Sequence, residues 1–266
     1  MKKIMSMLLS FLLVVSVSVP AFAAQTGQTV TISLDNINDI MPPQPGASHE
    51  QQLMNLQKQY LTYCNDVFDR SSASGQYDSK TQAQDAARKK LELGYISQKE
   101  YNDAVQAVSD LSSSQQAPSN QRAQDLLKLR NLLGLDDVDQ LIVKPADYSK
   151  TDFAAKLSGV NYAKDLGSLF LESGKVETFK SLYDALTQAN SIYQLDSGKY
   201  QTKQAQVQLM QQKFAKGYAS KKQVDDITLE LQTLESTVAK EKNSVYIAYL
   251  RYDFMRDNGY SPDSVS

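Results

Sequence analysis

The sequence predicts an all-α protein in which long antiparallel helices form coiled-coil hairpins in two tandem repeats. Three observations support this prediction: a helix-forming composition, an internal repeat, and a seven-residue apolar pattern near the C terminus. After residue 48 the chain is rich in Gln, Lys, Leu and Ala and contains few prolines. Such a composition favours helix, because these side chains lose little rotamer freedom there and proline is rare.

The first residues predict export from the cytoplasm. Two lysines precede an apolar run, and an Ala-Phe-Ala sequence at 21–23 supplies the small residues of a cleavage site. This is the arrangement of a secretory signal peptide, which we place at 1–23. An uncleaved anchor is the alternative, but the apolar run is shorter than a spanning helix needs. No cysteine stands near the site, so we expect a protein of the cell envelope, at its periplasmic or extracellular face, without a lipid anchor.

Composition excludes several functional classes. The net charge of -2 argues against a nucleic-acid-binding protein, which would need a basic surface. The single Cys64 excludes a disulfide framework and Cys-rich zinc sites, and the single His49 removes most histidine-based catalysis. The acidic cluster at 136–139 lacks the spacing of a calcium loop and is expected to be solvated. We therefore expect neither an enzyme nor a site for a metal or cofactor.

The polar N-terminal segment over 24–48 combines two weak patterns. Residues 29–34 have the pattern of a short strand, and residues 35–41 that of a short helix. Prolines at 42, 43 and 45 then interrupt the chain, and Ser48 is a candidate cap for the helix that follows. Neither this segment nor the rest of the chain predicts a β-sheet.

The remaining chain divides into two helical regions. Helical repeat 1 is expected over 49–134, with an interruption at Pro118. A connecting segment follows over 135–160, and helical repeat 2 is expected over 161–260. The C-terminal tail is 261–266.

An internal repeat relates the two helical regions. Residues 74–103 and 197–226 align without a gap, and ten of the thirty positions are identical. Each copy predicts a helix, a tight break and a second helix, because a glycine suits the left-handed end of a helix and a serine three residues later suits the next N-cap. This is the pattern of a helical hairpin. The matched break residues are Gly94, Tyr95 and Ser97 in the first copy and Gly217, Tyr218 and Ser220 in the second.

The last helix carries the clearest apolar pattern. From Val224 to Met255, apolar residues recur at alternating steps of three and four, and Glu241 is the only charged exception. A helix over these residues would be about 48 Å long. A sustained seven-residue pattern predicts left-handed coiled-coil packing.

Several of these segments resemble the TolC-type outer-membrane efflux proteins. The breaks LELGYIS at 91–97 and FAKGYAS at 214–220 resemble the family's LGLIS tip. The segment NLLGLDDVDQLIVKP at 131–145 is similar to the end of the family's first repeat, where a short strand-like segment follows LLGL. TISLDNINDIM at 31–41 resembles the family's opening segment. These matches follow the family's order along most of the mature chain.

The chain departs from the family where family members insert a β-hairpin into each repeat. In the family, three chains close these strands into an outer-membrane barrel. The corresponding stretches here, 71–79 and 195–202, are too short for two spanning strands. We expect Ser/Gly breaks of the helix there, and a further weak point at Gly174. The resemblance therefore implies a short, TolC-like relative without a transmembrane β-barrel.

The resemblance implies a function for the two tips. In the family the tips meet the hairpin of a periplasmic adaptor, or membrane-fusion, protein, and the chains form trimers. Carried to this sequence, Gly94, Tyr95 and Ser97 with Gly217, Tyr218 and Ser220 would be the partner-binding residues of an envelope efflux or export component. The glycines and serines are explained by the turns alone, whereas the tyrosines suit either partner contact or local packing. A helical envelope scaffold or surface-interaction protein without transport is the alternative function.

Overall fold

The computed structural model describes residues 27–41, 48–169 and 173–263. This described part is mostly helical. The predicted signal peptide, the prolines at 42–45 and the last three residues of the C-terminal tail lie outside it. None of the described helices combines the length and the apolar character needed to cross a membrane.

Two helices of more than forty residues dominate the described part. Helix α1 spans His49–Glu92, and Ser48 caps it, because its hydroxyl accepts a hydrogen bond of 3.2 Å from the backbone N–H of Gln51. Helix α6, the other long one, spans Ser173–Ala215.

The Ser/Gly breaks predicted at 71–79 and 195–202 are wrong, because α1 and α6 continue through both stretches. A single glycine inside a helix costs only about 1 kcal/mol, which the neighbouring turns and tertiary packing outweigh. At Gly75 the packing is close: a Cβ there would lie 3.4 Å from Leu229.

Two shorter helices follow α1. Helix α2 spans Gln98–Ser114 and helix α3 spans Gln116–Leu132, with the interruption at Gln115. Pro118 lies in the first turn of α3, where the missing N–H of a proline needs no partner. The predicted interruption is therefore present, three residues before the proline.

A small sheet joins the two ends of this helical region. Strand β1, Thr29–Ile32, pairs in parallel with strand β2, Gln140–Val143. The expectation of no β-sheet is therefore wrong. The strand pattern at 29–34 did predict a strand, which the structure shows at Thr29–Ile32. The partner strand lies more than a hundred residues away, so neither segment alone reveals the pairing.

Residues 34–39 form consecutive turns, and no helix is present over the predicted range 35–41. Asn36 explains the difference, because its side chain bonds the local backbone. Its Oδ1 accepts from the N–H of Ser33 at 2.8 Å, and its Nδ2 donates to the carbonyl of Thr31 at 2.8 Å. Such bonds compete with helical ones.

The second half of the chain begins with two short helices and ends with a long one. Helix α4 spans Phe153–Ser158 and helix α5 spans Tyr162–Ser168. Helix α7 spans Lys221–Asn258 and ends at Gly259, whose φ is 71°. No residue of the apolar pattern predicted along α7 is fully exposed, so this pattern marks the packed side of the helix.

The long helices pack side by side. Helix α7 packs against α6 and α1, and α1 also packs against α2 and α3. Helices α1 and α7 run in opposite directions, because Asn65 of α1 meets Asn243 of α7 at 2.7 Å while Gly75, farther along α1, lies beside Leu229. The N terminus of α1 therefore lies beside the C terminus of α7.

The hydrophobic core is concentrated at that end, which we call the base. Strand β1, the first turns of α1 and the last turns of α7 contribute to it. Its fully buried large side chains include Ile32, Tyr60, Phe179 and Tyr252. Cys64 is also buried there, as a small apolar side chain would be, and burial raises its pKa to about 11. Residues 65–124, by contrast, include no buried residue.

Candidate partner-binding site at the two helix tips

The first predicted tip, residues 93–97, joins α1 to α2. The backbone N–H of Tyr95 donates to the carbonyl oxygen of Lys90 at 2.8 Å, and the backbone N–H of Gly94 donates to the carbonyl oxygen of Leu91 at 2.9 Å. This pair of bonds closes a helix end and requires a left-handed residue, which is Gly94 with a φ of 72°. The carbonyls at the end of α1 are therefore satisfied within the turn.

Ser97 starts the next helix with a reciprocal cap. Its hydroxyl accepts from the N–H of Glu100 at 3.2 Å, and the Glu100 carboxylate accepts from the N–H of Ser97 at 2.7 Å. The bond from the Ser97 N–H holds the pKa of Glu100 below its usual range. This capping box fixes the direction in which α2 leaves the turn.

The second tip, residues 216–220, repeats this geometry. The N–H of Tyr218 bonds the carbonyl of Lys213 at 2.8 Å, and Gly217 has a φ of 78°. Ser220 caps α7, because its hydroxyl accepts from the N–H of Gln223 at 3.2 Å, and the side chain of Gln223 bonds back to the N–H of Ser220 at 2.8 Å. Both predicted turns are thus formed by the residue types that the sequence pattern identified.

The two tyrosines are the most exposed large hydrophobic side chains of the described residues. Tyr95 is 76% exposed and Tyr218 is 80% exposed. Packing within this chain therefore covers only a small part of either tyrosine. A turn does not require an aromatic residue, and exposed tyrosines of this kind act as anchors at protein interfaces.

Both tips lie at the end of the molecule opposite the base. This follows from the opposite directions of α1 and α7, because the last turns of α1 lie beside the first turns of α7. A groove between them is lined by Ala83 and Ala86 of α1 and by Lys221 and Asp225 of α7. The structure therefore brings the six predicted tip residues to one end of the molecule.

Charges around the tips are partly neutralised. Lys221 pairs with Asp225 at 2.7 Å and Lys222 pairs with Asp226 at 2.5 Å, each across one helical turn. Within the described residues, four lysines near the ends of α1 and α6 have no ion-pair partner. These are Lys89, Lys90, Lys213 and Lys216. The unpaired charge at this end is mainly positive, which would favour an acidic partner surface.

The acidic cluster at 136–139 has a structural role. The Asp139 carboxylate accepts from the N–H of Gln28 and from that of Asp136, both at 2.9 Å. The bond from Gln28 lowers the pKa of Asp139. Asp139 thereby positions the start of the small sheet. In the described residues, no group of three or more His, Cys, Asp or Glu side chains could hold a metal ion.

Sequence reasoning missed two polar features near the base. One is a pair of aspartates, Asp66 of α1 and Asp125 of α3, which interact although both are acidic. The other is a groove containing Lys242 and several aromatic rings. Each feature combines residues from distant parts of the chain, so no local spacing could have signalled it.

Comparisons with known proteins give no relative. No protein-family model matches this sequence, and no curated protein or solved structure is significantly similar to it.

Proposed function

We propose that the protein is an exported, TolC-like component of an envelope efflux or export assembly that docks through its two tips to an adaptor protein. The observation that carries the proposal is the pair of tyrosines, exposed at equivalent positions of two turns that share their backbone geometry. Two anchors at one end suit end-on contact with a partner. No enzymatic step belongs to this proposal.

The shared tip geometry supports the idea that the chain contains two copies of one coiled-coil hairpin. In both copies a long helix ends at a left-handed glycine, and a capped helix returns from the turn. Helices α6 and α7 pack along each other, as the second copy of such a repeat would require. In the first copy the returning helix is divided into α2 and α3.

An uncovered face of α6 supports assembly with further copies of the chain, with a trimer as the expected state. Leu195 is 60% exposed and Leu209 is 52% exposed. Exposed small residues lie between them at steps of three and four, which is the spacing of a helix-packing face. We call this set the α6 stripe: Leu195, Gly198, Thr202, Ala205 and Leu209.

The tip proposal is tested by binding of the adaptor encoded nearest this gene in the same genome. Changing Tyr95 and Tyr218 together to Ala should weaken binding at least tenfold, about 1.4 kcal/mol, because interface energy concentrates in such anchors. Interferometry with the immobilised adaptor measures this. Helicity and thermal stability should stay unchanged, because both side chains are exposed.

Leu127→Ala is the matched control, because Leu127 is an exposed apolar side chain of α3, near the base. It should bind the adaptor as the unchanged protein does. Equal binding by the double tyrosine variant would refute the tip proposal. It would favour the alternative, a helical envelope scaffold that assembles without docking to an adaptor.

A further inference from the structure

A groove beside the base has the features of a small-molecule site. It lies between α4 with its preceding loop, α6 and α7, and has a volume of about 620 Å³. That volume lies within the range of ordinary ligand pockets. Three aromatic rings line it, those of Tyr148, Phe153 and Tyr193. We call it the lateral groove.

The lateral groove contains a lysine that makes no ion pair with any described residue, although the carboxylate of Asp147 is close enough to attract its charge. The Nζ of Lys242 lies 4.5 Å from the centre of the Tyr148 ring and 5.9 Å from that of Phe153. In the described residues it has no ion-pair partner, and burial lowers its pKa. Because ring faces stabilise a cation less than a carboxylate does, this ammonium group retains the capacity to bind an anion.

An amide with an unused acceptor lies on the facing helix. Asn190, Tyr193 and Gln194 are spaced on α6 so that they face the lateral groove together. The Oδ1 of Asn190 is inaccessible to water and accepts no hydrogen bond from any described residue. Rotation of the Asn190 side chain that turns Oδ1 toward the groove therefore breaks no hydrogen bond of that oxygen. An N–H group of a ligand in the groove would then give Oδ1 a donor.

Asp152 limits the charge that the lateral groove can accept. It adds a carboxylate to the lining and has a φ of 45°, the one positive φ of a non-glycine residue in the described part. Asp152 precedes α4 but makes no side-chain cap, so no local bond explains its left-handed backbone. Its charge would oppose a ligand with two carboxylates more than a ligand with one.

We propose that the lateral groove binds a small monocarboxylate that carries an amide N–H next to the carboxylate, as an N-acylated amino acid or the C-terminal residue of a peptide does. Lys242 holds the carboxylate, Asn190 accepts the amide N–H, and an apolar side chain packs on the rings of Tyr148, Phe153 and Tyr193. The site is distant from the tips and independent of the proposed docking function.

The proposal is tested with N-acetylphenylalanine as the probe, by saturation-transfer NMR on the purified protein. We expect binding with a Kd on the order of 1 mM, the range for so small a ligand. The methyl ester lacks the carboxylate and phenylpropanoate lacks the N–H, so each should bind about tenfold more weakly, a factor typical of losing one charged or buried hydrogen bond.

Two protein variants identify the site. Lys242→Gln keeps most of the side chain but removes its charge, and Asn190→Leu keeps the size but removes the amide. Each should weaken the binding of N-acetylphenylalanine about tenfold, as loss of the same contact from the ligand does. Lys213→Gln, which removes an unpaired charge at the tip, is the matched control and should bind normally.

Circular dichroism and thermal melting show whether each variant is folded. No binding of the probe at about 10 mM, well above the expected Kd, would overturn the proposal. Equal binding of the acid and its ester, or unchanged binding by a folded Lys242→Gln variant, would also overturn it.

Discussion

At the residue scale, the pair Asp66 and Asp125 is the least expected contact of the base. The side chain of Asp125 is 2% exposed and accepts bonds from Gln121 at 2.7 Å, Lys128 at 2.7 Å and Gln59 at 3.2 Å. Burial alone would raise its pKa, but these donors outweigh burial and lower it to about 2. Burial and the hydrogen bond with Asp125 raise the pKa of Asp66 to about 6. With a pKa of about 6, Asp66 is half protonated near pH 6, and its protonated form can donate to Asp125.

This pair predicts a pH dependence of stability. The pKa of Asp66 is higher in the folded protein than the ordinary value of 3.8 for an aspartate. Its stabilising contribution is therefore complete below about pH 4 and is lost as the pH rises through about 6. Asp66→Asn should remove this dependence, because the amide donates at every pH. The unchanged protein loses this stabilisation between pH 4 and 7 and the variant does not. The unfolding free energy of the variant minus that of the unchanged protein should therefore rise by about 1 kcal/mol over this range, a value that allows for solvent screening of the partly exposed Asp66.

Urea denaturation of both proteins across this pH range measures the difference, and subtraction cancels the other titrating groups. Asp85→Asn is the control, because Asp85 is an exposed carboxylate of the same helix, about five turns from Asp66. A constant difference between the Asp66 variant and the unchanged protein would show that Asp66 is ionised throughout.

At the element scale, the position of a glycine in a helix decides what it does. Gly94 and Gly217 lie two residues past the last helical residue and have a positive φ, whereas Gly198 lies inside α6 without one. The same residue type therefore ends α1 and α6 but only weakens the interior of α6. Composition alone cannot separate these cases, but a following Ser-x-x-Glu or Ser-x-x-Gln cap identifies the true ends.

Alanine substitutions test this distinction. Gly94→Ala and Gly217→Ala should each lower the unfolding free energy by about 1 kcal/mol, because alanine is strained at a positive φ. Gly198→Ala is the matched control and should raise it by about 0.5–1 kcal/mol, because alanine favours helix. A Cβ at each of these three positions meets no atom within 4 Å, so clashes cannot explain the result. Thermal melting of the variants measures it, and equal effects at all three sites would contradict the assignment.

At the scale of the whole molecule, the burial of side chains is uneven. The base contains nearly all of the described core, whereas from 187 to 242 only Val207 is buried. The helices toward the tips therefore keep half-exposed apolar side chains that a larger assembly would cover. The α6 stripe, whose residues are all exposed, is a further surface of this kind.

The α6 stripe predicts self-association. Light scattering coupled to size exclusion on residues 24–266 should give a discrete oligomer, with a trimer expected. Changing Leu195 and Leu209 together to Lys should shift the mass toward the monomer, because each copy would place charges in an apolar contact. Leu127→Lys, at a similarly exposed leucine of α3, should leave the mass unchanged. A monomeric unchanged protein would contradict self-association and weaken the channel hypothesis.

For the candidate site, the sequence alone identified the turn residues but not the state of the tyrosines. Gly94, Ser97 and their counterparts bond residues no more than five positions away, so their roles are visible in a short stretch of sequence. The exposure of Tyr95 and Tyr218 depends on whether distant segments of the chain pack over the two rings. That information exists only once the chain has folded.

The sequence by itself determined the helical class, the serine caps of α1, α2 and α7, the two tip turns, and the inward side of α7. These features follow from hydrogen bonds within one or two turns and from side-chain periodicity. Only the tertiary structure decided the parallel pairing of β1 with β2, the continuity of α1 through Gly75 and the contact of Asp66 with Asp125. Each of these depends on a partner that is distant in sequence, whose burial and bonds outweigh the local preference of the chain.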